Sequence, residues 1–221
     1  LRVPGHPVAL DLLRAFAAAG GSGGIAAPSA NRFGRISPTT ADHVREELGD
    51  AVSLVLDGGA CAVGIESTIL DLSSGKPVLL RPGHITPASI ESVCGVLPEA
   101  PTGAAPRASG TLEAHYAPTT PMRRVEPGRL LELLNAMRHS GRRCGVLGHS
   151  QPPQAASEPN APHVWRMLPA EPVGYAHDLY AALRELDHAG VDLIVVEAIP
   201  ESPEWQAVGD RLRRALVGAG S

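Results

Sequence analysis

Residues Val173–Ala198, VGYAHDLYAALRELDHAGVDLIVVEA, read as a helix (Val173–Ala189) that runs into a strand (Leu193–Ala198). The same alternation surrounds them. Strands are expected at Met122–Val125, Cys144–Gly148 and Val164–Leu168, with helices at Arg129–His139 and Glu204–Val217. Strands that alternate with helices predict a small, three-layer α/β domain built on a parallel sheet, here over residues 122–221. Within it, Gln151–His163 (QPPQAASEPNAPH) reads as a Pro-rich surface loop.

Upstream the pattern is more mixed. Helices are expected at 7–19, with Pro7 in the first turn and Gly20-Gly21 beyond the end, at 39–48, with Thr39 and Asp42 at capping-box-like spacing, and at Pro87–Cys94. Short strands are expected at Ile25–Ala27, Ser53–Asp57, Ser67–Leu72 and Val78–Arg81. This makes residues 1–97 an α/β or α+β domain. Between the two domains, residues 98–121 carry five prolines without any sustained period and read as a linker.

Composition narrows the function classes. With 221 residues, 43% apolar and 19% charged, the chain can bury a sizeable core and is not disordered. Aromatics are only 3%, so that core rests on Ala, Val, Leu and Ile. A net charge of −4 argues against a protein whose main task is neutralising nucleic-acid phosphate. No apolar run reaches the roughly 20 residues of a membrane span, so no membrane partner is expected. Lys76 is the only lysine, which leaves anion binding to arginine, whose planar fork suits phosphate and carboxylate. Cys61, Cys94 and Cys144 have no CxxC spacing. That excludes a familiar zinc site and points to a reducing, cytoplasmic setting.

Four stretches could carry chemistry. Ala27–Thr40 (APSANRFGRISPTT) joins an expected strand to an expected helix and is dense in hydroxyls, an amide and two arginines. The unpaired N–H groups of a helix start make an anion site that Ser29, Ser37 and Thr39 could complete, although such hydroxyls equally serve as turn and cap partners. Gly64–Asp71 (GIESTILD) has a polar entry, Glu66 and Ser67, to an apolar strand, as does a pocket mouth or a solvated edge. Arg81 ends a strand before Pro82-Gly83, well placed for a phosphate or carboxylate. His115-Tyr116 is an aromatic island on the linker, fit either to close over a bound ring or to pin the tether. Asp210-Arg211-Leu212-Arg213-Arg214 reads as a charged helix face with i,i+3 and i,i+4 pairs.

Taken in order, LRVPGHP at the start, APSANRFGRISPTTADHV, LVLDGG, GIESTILDL, LLRPG, HYAP and the closing VGDRLRR resemble the long form of the threonylcarbamoyl-AMP synthase family, the YrdC/Sua type. The resemblance implies a YrdC-like twisted α/β sheet domain, represented by its C-terminal part, then the linker, then a Rossmann-like Sua domain. It implies that L-threonine, bicarbonate and ATP, with Mg2+, give threonylcarbamoyl-AMP and pyrophosphate, the donor for N6-threonylcarbamoyladenosine in tRNA. By the same resemblance, Arg2 and Ser67, with the Ala27 backbone, would hold threonine. Ser29, Ser37 and Arg81 would hold ATP, and Tyr116 would cover the adenylate. Asn31 and His115 are further candidates. The implied partners are the downstream threonylcarbamoyl-transfer proteins and, as a further candidate, tRNA itself.

The family's N-terminal half also carries a Lys/Arg motif. It has no match here, because Lys76 lies in a Gly-Lys-Pro turn. With no initiator Met before Leu1, the expectation is a fragment that alone does not complete the reaction. Two other classes share features with the chain: a non-catalytic nucleotide- or RNA-binding module of the same fold, and a carbamoyltransferase-type assembly. The latter would be expected to carry zinc-finger CxxC pairs, which are missing.

Overall fold

The computed structural model describes every residue except Ser74, 103–105, Arg107, 151–162 and Ser221. The loop expected at Gln151–His163 therefore lies, but for His163, outside the described residues. The chain divides into two compact units, residues 1–32 with 37–61 and residues 33–36 with 62–221.

The first unit holds helices α1 (Pro7–Ala18) and α2 (Ala41–Leu48), followed by a 3-10 turn, Gly49–Ala51. Pro7 at the first position of α1 loses only an N–H that would have had no helical partner. Gly20, at φ +88°, turns the chain out of the helix. Val8, Leu12 and Phe16 form an apolar stripe at i, i+4, i+8, yet they remain 37%, 44% and 38% exposed. The cap of α2 is Thr40, not Thr39: its hydroxyl accepts from His43 N at 3.2 Å, while Thr39 pairs with the His43 ring. The strands expected at Ile25–Ala27 and Ser53–Asp57 do not form. A strand exists only through a ladder, and neither segment has one among the described residues.

The second unit begins with the hairpin of β1 (Ile69–Asp71) and β2 (Val78–Arg81), antiparallel with a register shift after Ile69. Helix α3 (Pro87–Cys94) follows, capped by Thr86 and closed by left-handed Gly95. Beyond α3 the chain returns to β2: Glu99 exchanges backbone bonds with Leu79 and Pro77, each 2.9 Å.

A four-stranded sheet forms the rest, all parallel, in the order β3-β6-β4-β5 (Met122–Val125, Leu193–Glu197, Cys144–Gly148, Val164–Met167). Helix α4 (Pro127–His139) covers one face and packs on Val125, Cys144, Val146 and Val195. Helices α5 (Pro172–His188) and α6 (Gln206–Ala219) cover the other, against Met122, Leu147, Ile194 and Val196. Alternate residues of each strand thus enter opposite cores, which is why β4 is buried along its whole length. This is the three-layer parallel α/β domain that the alternation predicts.

Two polar ties hold the sheet's ends. Glu197, 1% exposed at the end of β6, accepts from His149 N (2.8 Å), Ser150 N (3.0 Å) and the Ser150 hydroxyl. Burial pushes its carboxyl up, but these donors outweigh that and hold it below the usual carboxylate range. His163, before β5, accepts from Cys144 N at 3.1 Å and meets Leu134 O at 3.0 Å with its other ring nitrogen.

Candidate functional site

The residues selected from sequence fall into both units. Arg2, Ala27, Ser29, Asn31 and Ser37 belong to the first. Arg2, Ala27 and Ser29 are exposed, Asn31 donates to Arg32 O at 3.0 Å, and Ser37 is buried. The start of α2 already carries Asp42 in its first turn, paired with Arg45 at 2.6 Å, so its dipole has negative charge beside it.

Ser67, Arg81, His115 and Tyr116 belong to the second unit, and there the structure gathers them. Arg81, 2% exposed at the end of β2, donates to Ser67 O twice (2.9 and 3.1 Å) and to Ser109 O (2.8 Å). Burial lowers its pKa. Its fork is spent on two carbonyls, so its direct effect is to shape the Ser67 segment and the linker. Gly83 allows this closeness: a Cβ there would sit 2.4 Å from Thr68 N.

Tyr116 is 1% exposed and is the one described non-glycine residue with positive φ, at +62°. Such a backbone costs about 1 kcal/mol or more and persists only where neighbours over-determine it. They do so here. His115 N donates to Arg214 O (3.2 Å), Ala117 N to Gly34 O (2.8 Å), and Tyr116 N to the His115 ring (3.0 Å). The Tyr116 ring lies 5.6 Å from that of Tyr180, and the Arg211 guanidinium stands 5.4 Å from its centroid. Gly110 leaves room for the Tyr116 hydroxyl, which a Cβ at that position would meet at 2.0 Å. Burial, then Glu66, pushes the Tyr116 phenol up. Burial also lowers the His115 pKa, with Arg214, Arg81 and Arg211 adding to the effect against Glu66. At this point the linker is pinned, not free.

Sequence reasoning missed the residue at the centre of this cluster. Arg211, from α6, has a fully buried side chain and bonds Glu66 Oε2 (2.8 Å), Glu66 O (3.2 Å), Pro82 O (3.0 Å) and Asp210 (2.9 Å). Burial opposes its charge, but Tyr180 and Glu66 more than offset that and hold its pKa above the ordinary arginine value. Tyr180 OH donates to the same Glu66 oxygen at 2.9 Å. The charged-face pairs exist, since Asp210 meets Arg213 and Arg214 at 3.2 and 3.0 Å, but Arg211 faces inward. A usable signal was the buried row Val208, Arg211, Leu212, Ala215, which puts Arg211 on the apolar side of α6.

Elsewhere in the second unit, a cavity of about 690 Å³ opens beside β6 and α6, lined by Arg124, Glu197, Trp205, Leu212 and Arg213 among others, and a second of about 570 Å³ lies near Leu79, Glu99 and Arg214. Neither is lined by a residue selected above. Among the described residues no cluster of three or more His, Cys, Asp or Glu could hold a metal ion, and no helix is long and apolar enough to cross a membrane.

Fold and cluster together define a mixed α/β protein in which a parallel-sheet domain grips a loop-borne tyrosine through buried arginines. A family described as "Threonylcarbamoyl-AMP synthase, C-terminal domain" matches residues 85–216, and one described as "Telomere recombination" matches residues 1–83. The chain is 37% identical over 224 residues to threonylcarbamoyl-AMP synthase of Bacillus subtilis, covering 99% of this chain and 63% of that protein. It is 34% identical over 226 residues to the Pyrococcus abyssi enzyme of the same name, covering 97% and 63%. The crystal structure of Pyrococcus abyssi Sua5 complexed with L-threonine superposes with a TM-score of 0.82 at 32% identity, over 99% of this chain and 64% of that one. The chain belongs to the threonylcarbamoyl-AMP synthase family, and it spans just under two thirds of the length of these relatives.

Proposed function

We propose that this protein takes part in making threonylcarbamoyl-AMP from L-threonine, bicarbonate and ATP, with release of pyrophosphate. The observation that carries the reading is the match, over nearly all of this chain, to a relative solved with L-threonine bound. In the proposed reaction the threonine amine and bicarbonate form a carbamate and water. A carbamate oxygen then attacks the α-phosphorus, and pyrophosphate leaves with the electron pair of the broken P–O bond. Arg2, Ser67 and the Ala27 backbone would hold the threonine carboxylate, and Ser29 and Ser37, with Asn31, the nucleotide. Tyr116, with His115, would cover the adenylate. Arg81 would act by shaping the Ser67 segment and adding positive charge near the phosphates. Magnesium would arrive with the triphosphate. Among the described residues no group of three or more His, Cys, Asp or Glu side chains could hold it. The product would be the donor for a tRNA modification, in the cytoplasm.

The test is pyrophosphate release by the protein with and without threonine and bicarbonate. Release that requires both supports the reading; binding of ATP without release would make the chain a nucleotide-binding module instead. Within the reading, Ser37→Ala should weaken ATP binding by about 1–2 kcal/mol, the scale of one charge-assisted hydrogen bond. Unchanged affinity by calorimetry would remove Ser37 from the site.

A further inference from the structure

We propose that Arg211 is a positioning residue, through which α6 of the parallel-sheet domain sets the placement of Ser67 and Tyr116; the assignment rests on the function proposed above.

Three separate parts of the second unit meet at this one guanidinium. Glu66 and Pro82 come from either side of the β1–β2 hairpin, Tyr116 comes from the linker, and Arg211 itself comes from α6. Its Nε and Nη2 reach both the side chain and the carbonyl of Glu66, so the residue preceding Ser67 is gripped at two points. Arg81 grips the next carbonyl, Ser67 O, and with its remaining arm ties Ser109. The two arginines therefore fix consecutive peptide units of the same segment. On the linker side, α6 holds the backbone as well as the ring: Arg214 O accepts from His115 N, and the Arg214 side chain donates to Leu112 O.

A purely stabilising role does not call for this design. A buried ion pair recovers little more than the desolvation it costs, and a well-packed apolar side chain often serves stability as well. A guanidinium does what no apolar side chain can: its planar fork dictates angles to several partners at once. What is dictated here is the path of Glu66–Ser67 and the face of Tyr116, whose left-handed backbone needs such over-determination.

The experiment compares Arg211→Met, Arg211→Lys and the control Arg213→Met in the full chain. Arg213 sits on the same helix but is 56% exposed. Three readouts are needed: amide exchange at His115 and Ala117 against exchange in β4 and β6, ATP and threonine affinity by calorimetry, and thermal midpoint. Positioning predicts that Arg211→Met loses at least tenfold protection at His115 and Ala117 while β4 and β6 keep theirs, and that ATP affinity falls at least tenfold. Arg211→Lys, which keeps charge without the fork, should recover the thermal midpoint but less than half of the lost affinity on a logarithmic scale. Arg213→Met should leave all three readouts unchanged. If Arg211→Met does not fold, the double variant Glu66→Gln/Arg211→Met removes both charges of the ion pair together and gives the same readouts. Protection lost equally in β4 and β6, or ATP affinity that survives a loosened His115–Ala117, would overturn the proposal. If the unmodified protein binds neither ATP nor threonine, the functional reading falls instead, and local exchange alone then decides whether Arg211 sets the Tyr116 loop.

Discussion

The two units of this chain are built on different physics. In the second, a parallel sheet is buried on both faces, and residues such as Leu147, Leu183 and Ile194 are wholly enclosed. In the first, no apolar side chain is buried, and the only buried residues are Ser37 and Thr39. Its helices are locally well specified, by Pro7, by the Thr40 cap and by Gly49, but local signals set only where a helix starts and stops. Helix stability comes mainly from packing an amphipathic face, and the stripe of α1 is not packed. A sequence can thus look equally ordered in two places while the free energy that holds them differs greatly.

The sharpest way to break this comparison is to truncate matched leucines. Leu183→Ala in α5 should cost about 2–5 kcal/mol in denaturant unfolding, from lost transfer energy and a residual cavity. Leu12→Ala in α1 should change stability by about 0.5 kcal/mol or less, as for a surface site. Equal costs would mean that the first unit has a core after all. Next in size, Glu197→Gln should cost about 1–3 kcal/mol, since the loop after β4 loses its charged acceptor. Because the folded-state pKa of Glu197 is lowered, the stabilisation from its charge is present above the unfolded carboxylate value. It is lost as pH falls through the lower, folded value. Glu197→Gln should remove that part of the acid dependence, which unfolding curves at several acidic pH values would show.

The capping threonines give a finer contrast. Thr40→Ala and Thr86→Ala each remove one hydroxyl that accepts from the N–H of the third helical residue, worth about 1 kcal/mol. Thr86→Ala should appear in the global transition, whereas Thr40→Ala should speed amide exchange in α2 alone. The smallest effect concerns His115, whose folded-state pKa is depressed. Protonation therefore favours the loosened linker, and the order of Tyr116 should be complete above pH about 6.5 and decline below it. Exchange at Ala117 that is independent of pH in this window, after correction for intrinsic rates, would exclude the coupling.

The parallel-sheet domain was the most legible part of the sequence. The strands at Met122–Val125 and Cys144–Gly148 appear with the expected bounds, and the others shift by one residue, because a strand buried on both faces is written as a short apolar run between turn signals. Helix α3 was equally plain, with Thr86, Pro87 and Gly95 marking its ends. Ile25–Ala27 and Ser53–Asp57 carry the same apolar content but form no ladder, and whether a partner strand exists is not written in the segment itself. In the site, Ser67, Arg81 and Tyr116 stood out through motif words, and the structure brings them together. Arg211 did not stand out, because its neighbours Asp210, Arg213 and Arg214 form an ordinary charged surface that masks one inward-facing arginine.

The histidine before β5 carries one more implication. Since His163 Nδ1 accepts from Cys144 N, the ring must hold its single proton on Nε2, where it donates to Leu134 O. The tautomer is therefore fixed by two backbone partners. Burial lowers the pKa of this ring, and a second proton on Nδ1 would point one donor straight at another. His163 thus acts as a peptide unit in disguise, with one acceptor and one donor joining the helix before β4 to β4 itself. Its nitrogen chemical shifts should report that single form across the neutral range.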